Sequence, residues 1–358
     1  MMDLPSRKSR MATEHFKTTG QDTTTGSQSH SVGSSEKVRT LACLAGVSLE
    51  RGVPLEDVRE YLNDPDTLLW MDVLDAGPDE LSMLLEEFGF HPLALEDVAK
   101  EQQRPKVDDY KSYLFVVTYG VLPVDDVAAP QTAELHLFIG RNYLVTVHRR
   151  RLPALEEAAS RWMRSGPLLR EGVGYLVYTV LDAVVDSYFP ALDAIEEDMT
   201  EIESVLFSEF HEGHMQRLVQ LKRGLVGLRR VLSPMRDILH VFLRPNHPFF
   251  SAGTRVYFQD VYDHVLRILD ALEIQRETAA GATDAYLTIS SNRLNLTMKK
   301  LTVVTVAVAI LGAVFGAWGM NFAYIPLSEP WWGFWVVLGG AATLVAGVLW
   351  LARKQKWL

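Results

Sequence analysis

The chain has 358 residues, 48% of them hydrophobic and 22% charged, with a formal net charge of −10. Its length allows two domains, and the acidic balance argues against nucleic acid as a partner. The single cysteine, Cys43, excludes a disulfide framework and a metal–thiolate centre.

Residues 1–37 are rich in Ser, Thr, Gly and Gln, with almost no apolar periodicity, and are expected to be a disordered tail. No apolar segment of a signal peptide is visible there, so the polar bulk of the chain is expected to stay in the cytosol. Asp3, Glu14 and Asp22 weigh against an organelle transit peptide.

From 38 to 151, short β-branched and aromatic runs alternate with helical patterns, which predicts a cytosolic α/β domain. Strands are expected at 68–74, 113–121, 133–139 and 143–148. Pro78 opens an amphipathic helix that stops at Gly89, and Pro92 opens another through Ala99. The domain has no Gly-rich phosphate loop, nucleophile elbow or zinc-ligand spacing, so no enzyme is expected.

Residues 152–253 are predicted to form long cytosolic helices. Between 181 and 210 there are nine acids and no Lys or Arg, with apolar residues at helical spacing. The expectation is one long helix bent at Pro190. The next helix, over 214–243, carries Arg217, Lys222, Arg223, Arg229, Arg230 and Arg236 against Asp237. A charge-complementary antiparallel pair explains this pattern, although such pairs are individually weak. A solvated acidic face, or a negative field that gathers cations, explains it as well.

No proline occurs between Pro248 and Pro326, and Gly281 is the one glycine between Thr254 and Leu311. A helix over 254–318 would be about 95 Å long at about 1.5 Å per residue. Its last part, 301–318, has no charge. A polar loop (319–330), a second uncharged run (331–352) and the basic residues Arg353, Lys354 and Lys356 follow. This predicts a C-terminal transmembrane hairpin. Lys299 and Lys300 before it and the basic tail after it place both ends in the cytosol. Trp318, Trp331, Trp332 and Trp335 form an outer aromatic belt, and Trp350 and Trp357 an inner one. The competing reading is a pair of buried helices in a soluble protein.

Stepping by three or four from Asn295 gives Thr302, Thr305, Ala309, Gly312 and Gly316, a small or weakly polar face. Close helix packing through Gly312 and Gly316 fits this face, and so does a water-lined pore. One hairpin cannot enclose a pore, so the second reading requires a homo-oligomer. In the second span, Thr343 with Gly347 and Ala342 with Ala346 are small pairs suited to packing around a first ring.

Gly319-Met320-Asn321 stands at the outer end of the penultimate span. With the stretch from Ser291 to Thr302 and Lys356-Trp357-Leu358 at the end, the chain resembles the CorA family of magnesium channels from about residue 40 onward. The resemblance implies an α+β funnel with stalk helices and a transmembrane hairpin, assembled as a homopentamer in the inner membrane. Mg²⁺ would be both transported and regulatory, with Co²⁺ and Ni²⁺ as further substrates. A zinc transporter of the related ZntB type and a non-conducting, membrane-anchored metal sensor are the alternatives. Phe258 to His264 resembles the family's sensor stretch. The resemblance implies that Asp260 binds a regulatory divalent ion with Asp97 of another subunit, and that Glu96 and Asp182 belong to a second site. His264 reads as a structural or surface residue.

Mg²⁺ holds its water tightly, so a ring of neutral acceptors should bind the hydrated ion: Asn321 side chains and Gly319 carbonyls. Gly319 would permit a tight turn, and Met320 would pack. Met298 and Leu301 are the expected apolar constriction and Asn295 an inner polar ring, with Thr305, Ala309 and Gly312 lining the span. The chain departs from the family pattern at three places. Trp318 replaces a Tyr, Ala309 and Gly312 replace bulkier residues, and Ala323 replaces an acid, leaving Glu329 as the loop's one carboxylate.

Overall fold

The structure is a computed structural model that describes residues 37–46, 48–100, 102–123, 130–206, 212–245, 247–320, 327, 329–355 and 357. The tail read as disordered therefore lies outside the described residues, apart from Lys37. Asn321 and most of the loop after it lie outside them too.

Seven strands form one sheet: β1 Val38–Leu44, β2 Ser48–Arg51, β3 Thr67–Leu74, β4 Lys106–Asp109, β5 Leu114–Val121, β6 Thr132–Ile139 and β7 Tyr143–His148. Their order is β2-β1-β3-β7-β6-β5-β4. All neighbours are antiparallel except β3 and β7. Strand periodicity divides the core between two faces. Leu69, Met71 and Val73 of β3 enter the cluster beneath helices α1 (Val58–Asn63), α2 (Pro78–Phe88) and α3 (Pro92–Ala99). Trp70, between them, joins the larger cluster on the opposite face.

The predicted starts and stops have visible causes. At α2 the Gly77 N–H donates to Glu80 Oε2 at 2.7 Å, and Gly89 ends the helix at φ +66°, a conformation a side chain would disfavour. At α3 the Leu93 N–H donates to His91 Nδ1 at 3.2 Å. Strands β1, β2 and β4 were not among the expected elements; β2 and β4 have four residues each and lie at the sheet edges.

The larger cluster is covered by α4 (Pro153–Met163), α5 (Val173–Asp186), α6 (Tyr188–Val205), α7 (Glu212–Phe242) and the first part of α8 (Arg255–Trp318). The single helix expected over 181–210 is broken at Ser187 rather than bent at Pro190. Pro190 has no N–H to give the Asp186 carbonyl and its ring crowds that oxygen, so α5 ends there. The Ser187 hydroxyl donates to the Val184 carbonyl at 2.6 Å and accepts from the Val121 N–H at 3.1 Å, tying the break to β5.

The charge-complementary helix pair also narrows. Arg217 of α7 meets Asp198, with Glu201 at 3.9 Å, whereas Arg229 reaches Glu273 on α8. Among the described residues, no other Lys or Arg of α7 pairs with an acid of α6.

Candidate functional site

Helix α8 runs unbroken for 64 residues, followed by α9 (Gly333–Lys354). Both are long and apolar enough to cross a membrane, and only 6% of the most apolar stretch of each is buried. A core helix of a soluble protein would be covered, so exposure removes the buried-pair reading. Within the apolar part of α8, from Leu301 on, the covered positions are Val303, which is buried, and Ala307, Ile310, Leu311, Val314 and Trp318, which are half-covered. They recur every three or four residues and face α9, where Trp318 meets Phe334 at 6.4 Å between ring centroids.

At 100° per residue, the stripe Met298, Leu301, Thr305, Ala309, Gly312 lies about 180° from the α9-facing stripe. All five residues are exposed; Met298 is 54% and Leu301 58% accessible. Asn295 is exposed too, about 90° further round. No atom outside their own helix turn lies within 4 Å of a Cβ built on Gly312 or Gly316, so these glycines do not serve packing against α9. The Thr305 hydroxyl donates to the Leu301 carbonyl at 2.8 Å, which leaves its oxygen free to accept from outside the helix. On α9 the covered stripe runs through Val337, Ala341, Val345, Val348 and Ala352, whereas Ala342, Thr343, Ala346 and Gly347 stay exposed. The small pairs read from the sequence therefore do not pack α9 on α8 of the same chain.

Gly319 caps α8, its N–H donating to the Phe315 carbonyl at 2.9 Å. Its backbone is right-handed (φ −86°, ψ −1°). What a side chain would meet is the Phe315 carbonyl oxygen, 3.3 Å from an added Cβ. Met320 is 51% exposed, and Asn321 lies outside the described residues.

At the other end of α8, Asp260 and His264 occupy one face, four residues apart. His264 Nε2 lies 3.9 Å from Asp260 Oδ1, and its Nδ1 lies 3.7 Å from both Asp182 Oδ1 and Asp186 Oδ1 of α5. Asp182, Asp186 and His264 converge closely enough for one cation to touch all three. Arg161 of α4 enters the same group, bonding Asp182 and, at 2.7 Å, Glu157, with Asp186 at 3.5 Å.

Asp182 is 4% exposed, and its Oδ1 has no hydrogen-bond partner among the described residues. Burial, followed by the charge of Asp186, raises its pKa; Arg161 and His264 oppose the shift. Burial acts against the charge of Arg161, but Glu157, Asp182 and Asp186 outweigh it and raise the guanidinium's pKa. Tyr178 is pushed up to about 12, first by burial and then by Asp182 and Asp260.

The structure thus brings Asp182 and Asp260 to one cluster and leaves Asp97 and Glu96 outside it. Asp97 pairs with Lys106 at 2.8 Å, and Glu96 with Lys100 one turn along α3. His264, read from sequence as structural or surface, is 22% exposed at its side chain and faces three carboxylates. Asp186 was passed over, although Asp182 and Asp186, like Asp260 and His264, show an i,i+4 spacing that puts both on one helix face. Nothing in sequence spacing pointed to Arg161, which comes from another helix.

Residues 65–354 match the model of the CorA-like Mg²⁺ transporter protein family. The cobalt/magnesium transport protein CorA of Thermotoga maritima is 31% identical over 306 residues, covering 84% of this chain and 87% of that protein. CorA of Methanocaldococcus jannaschii, also described as a cobalt/magnesium transport protein, is 27% identical over 81% of this chain and 92% of its own length. The complete structure of that CorA magnesium transporter superposes with a TM-score of 0.77 at 24% identity, covering 89% of this chain and 98% of the other. The α+β body, the long helix and the C-terminal hairpin are therefore those of a divalent-cation transporter fold, and the chain belongs to the CorA-like Mg²⁺ transporter family.

Proposed function

We propose that this chain is a homopentameric channel that carries Mg²⁺ inward across the inner membrane, with both termini in the cytosol, and that cytosolic Mg²⁺ closes it. The observation that carries the reading is the uncovered stripe of α8 opposite α9. Copies of that stripe, arranged about an axis, form a pore wall with α9 outside it. Gly319, Met320 and Asn321 form the filter at its outer mouth. Neutral oxygen acceptors there hold the hydrated ion through its waters, weakly enough to release it. An inward-negative potential favours entry by about 4.6 kcal/mol per 100 mV for two charges. Thr305, Ala309 and Gly312 line the span, Met298 and Leu301 close it by dewetting, and Asn295 is the inner polar ring.

The sensor lies at the cytosolic end of the same helix. Asp260 and Asp97 of a neighbouring subunit hold one regulatory ion, and Asp182 with Glu96 contributes to a second. The buried, unpartnered Asp182 Oδ1 fits a divalent ion's need for oxygen ligands. Asp97 first has to exchange Lys106 for the ion. When the ions leave, like charges repel and α8 transmits the movement to the gate.

Reconstitution in liposomes with an internal Mg²⁺ dye tests this. The wild type should admit Mg²⁺ and Asn321→Ala should not. Zn²⁺ entry in both without Mg²⁺ entry would turn the reading to a zinc transporter. Silence toward every divalent ion from an intact oligomer would leave a membrane-anchored sensor.

A further inference from the structure

Arg161 sits where a regulatory cation would sit. It reaches from α4 to a carboxylate pair on α5, bonding Asp182 and standing 3.5 Å from Asp186, while its other contact is Glu157 on its own helix at 2.7 Å. Asp182 is 4% exposed, so its two oxygens have little water. One is bonded to Arg161 and the other has no hydrogen-bond partner among the described residues. With Glu157, Asp182 and Asp186 ionised and Arg161 charged, the group keeps two negative charges in excess. A dication balances two negative charges, whereas arginine supplies one. Glu157 side chain is 57% exposed, so a guanidinium that lets go of Asp182 already has a hydrated partner one turn away.

We infer that Arg161 is a resident competitor of the regulatory divalent ion: it occupies Asp182 and Asp186 when cytosolic Mg²⁺ is low and withdraws onto Glu157 when the ion binds. This deepens the sensor reading above and rests on it. Exchanging one cation for another keeps the buried carboxylate neutralised in both states, because an uncompensated buried charge is the costly alternative. The Mg²⁺ concentration at which the sensor fills is then set by the difference between two affinities, for the ion and for the guanidinium. His264, with Nδ1 3.7 Å from both carboxylates, faces the same cluster from α8, so the exchange is felt by the helix that leads to the pore.

Two substitutions should act in opposite directions. Arg161→Gln removes the competitor, and the midpoint for Mg²⁺ should fall about five- to tenfold, the low end of a typical coupling between sites. Glu157→Gln removes the arginine's second seat and leaves it committed to Asp182 and Asp186, so the midpoint should rise. Arg161→Lys should lie close to wild type. The readout is Mg²⁺-dependent protection of the full-length detergent-solubilised protein from proteolysis, with the Mg²⁺-dependent rise in melting temperature as a second measure. Opposite shifts in the two variants support the competition. An unchanged or raised midpoint in a folded Arg161→Gln protein overturns it, because a merely structural arginine predicts loss of stability without tighter ion binding. If Arg161→Gln does not fold, Glu157→Gln decides alone, and a lowered or unchanged midpoint overturns the inference. Absence of any Mg²⁺ protection in the wild type overturns the sensor reading and this inference with it. Protection in the wild type with no response to either substitution overturns only the inference.

Discussion

The two halves of α8 obey the same backbone geometry and live in different surroundings. Over Arg255–Ala282 the helix buries Phe258, Val261, Val265, Ile268, Leu272, Ala279 and Ala282, a stripe at helical period locked into the larger core. From 283 to its end at Trp318, Val303 alone is buried. The first half is stabilised by residues of its own chain. The second half, equally continuous and more apolar, has only α9 beside it among the described residues; under the proposed function its other partners are lipid and further copies of the chain. The helix joins a part that is complete in one chain to a part that is not.

The largest expected effect comes from breaking the joint. Leu294 is 64% exposed, beyond Ile289, the last residue of the helix that packs against the larger core, so Leu294→Pro removes a helix hydrogen bond without disturbing that core. The proline should cost about 3 kcal/mol of helix stability. It should also uncouple the halves, leaving flux that no longer falls as Mg²⁺ rises on the cytosolic face.

Truncation on either side sharpens the contrast. Phe258→Ala, at a fully buried position, should lower unfolding stability by about 3–5 kcal/mol. Val308→Ala, at a position 63% exposed, should change the stability of the detergent-solubilised protein by less than about 0.5 kcal/mol. Comparable losses at the two sites, measured by chemical unfolding, would mean that the second half is also packed within one chain.

A smaller, pH-dependent effect belongs to the sheet. Asp72 of β3 would be raised by burial, but His148 at 3.1 Å, Thr146 at 2.6 Å and Arg39 at 3.0 Å outweigh it and hold its carboxyl below the ordinary range. A depressed carboxylate contributes stability that is full above its unfolded pKa and lost as pH falls through the folded one. Asp72→Asn should therefore be less stable near neutrality by about 1–3 kcal/mol, and the gap should close as pH falls below about 4. A gap independent of pH would show that the aspartate is held by packing rather than charge.

How much of this was legible in the sequence follows the same division. Where a residue acts through its own stretch of chain, the pattern suffices. Pro78 and Gly89 bound α2, Pro92 opens α3, and the proline-free run predicted α8 almost to the residue. Strands β3, β5, β6 and β7 were legible from their β-branched and aromatic runs; β1, seven residues long, was not, and β2 and β4, with four residues each at the edges, carry too little pattern. At Pro190 the sequence predicts a bend, whereas the N–H that Pro190 cannot offer its i−4 partner, Asp186, ends α5 at Asp186.

At the candidate site, the acids Asp182 and Asp260 came from resemblance. Asp186 and His264 could have been found by i,i+4 spacing on their helices. Arg161 could not, because α4, α5 and α8 meet only once the core has formed. The lysines on Asp97 and Glu96 were likewise missed; Lys106 reaches Asp97 from another element, and Lys100 follows Glu96 one turn on.

The central claim is that the uncovered stripe of α8 lines water and the stripe facing α9 does not. Cys43 is buried and burial raises its pKa, so the native thiol is a poor target for a charged thiol reagent. Single cysteines at Thr305, Ala309 and Gly312, and for contrast at Val303, Ala307 and Val314, can be introduced into the reconstituted protein and treated with a membrane-impermeant methanethiosulfonate. The account predicts modification and loss of Mg²⁺ flux at the first three positions and neither at the second three. Modification of the second set with the first set protected would contradict it.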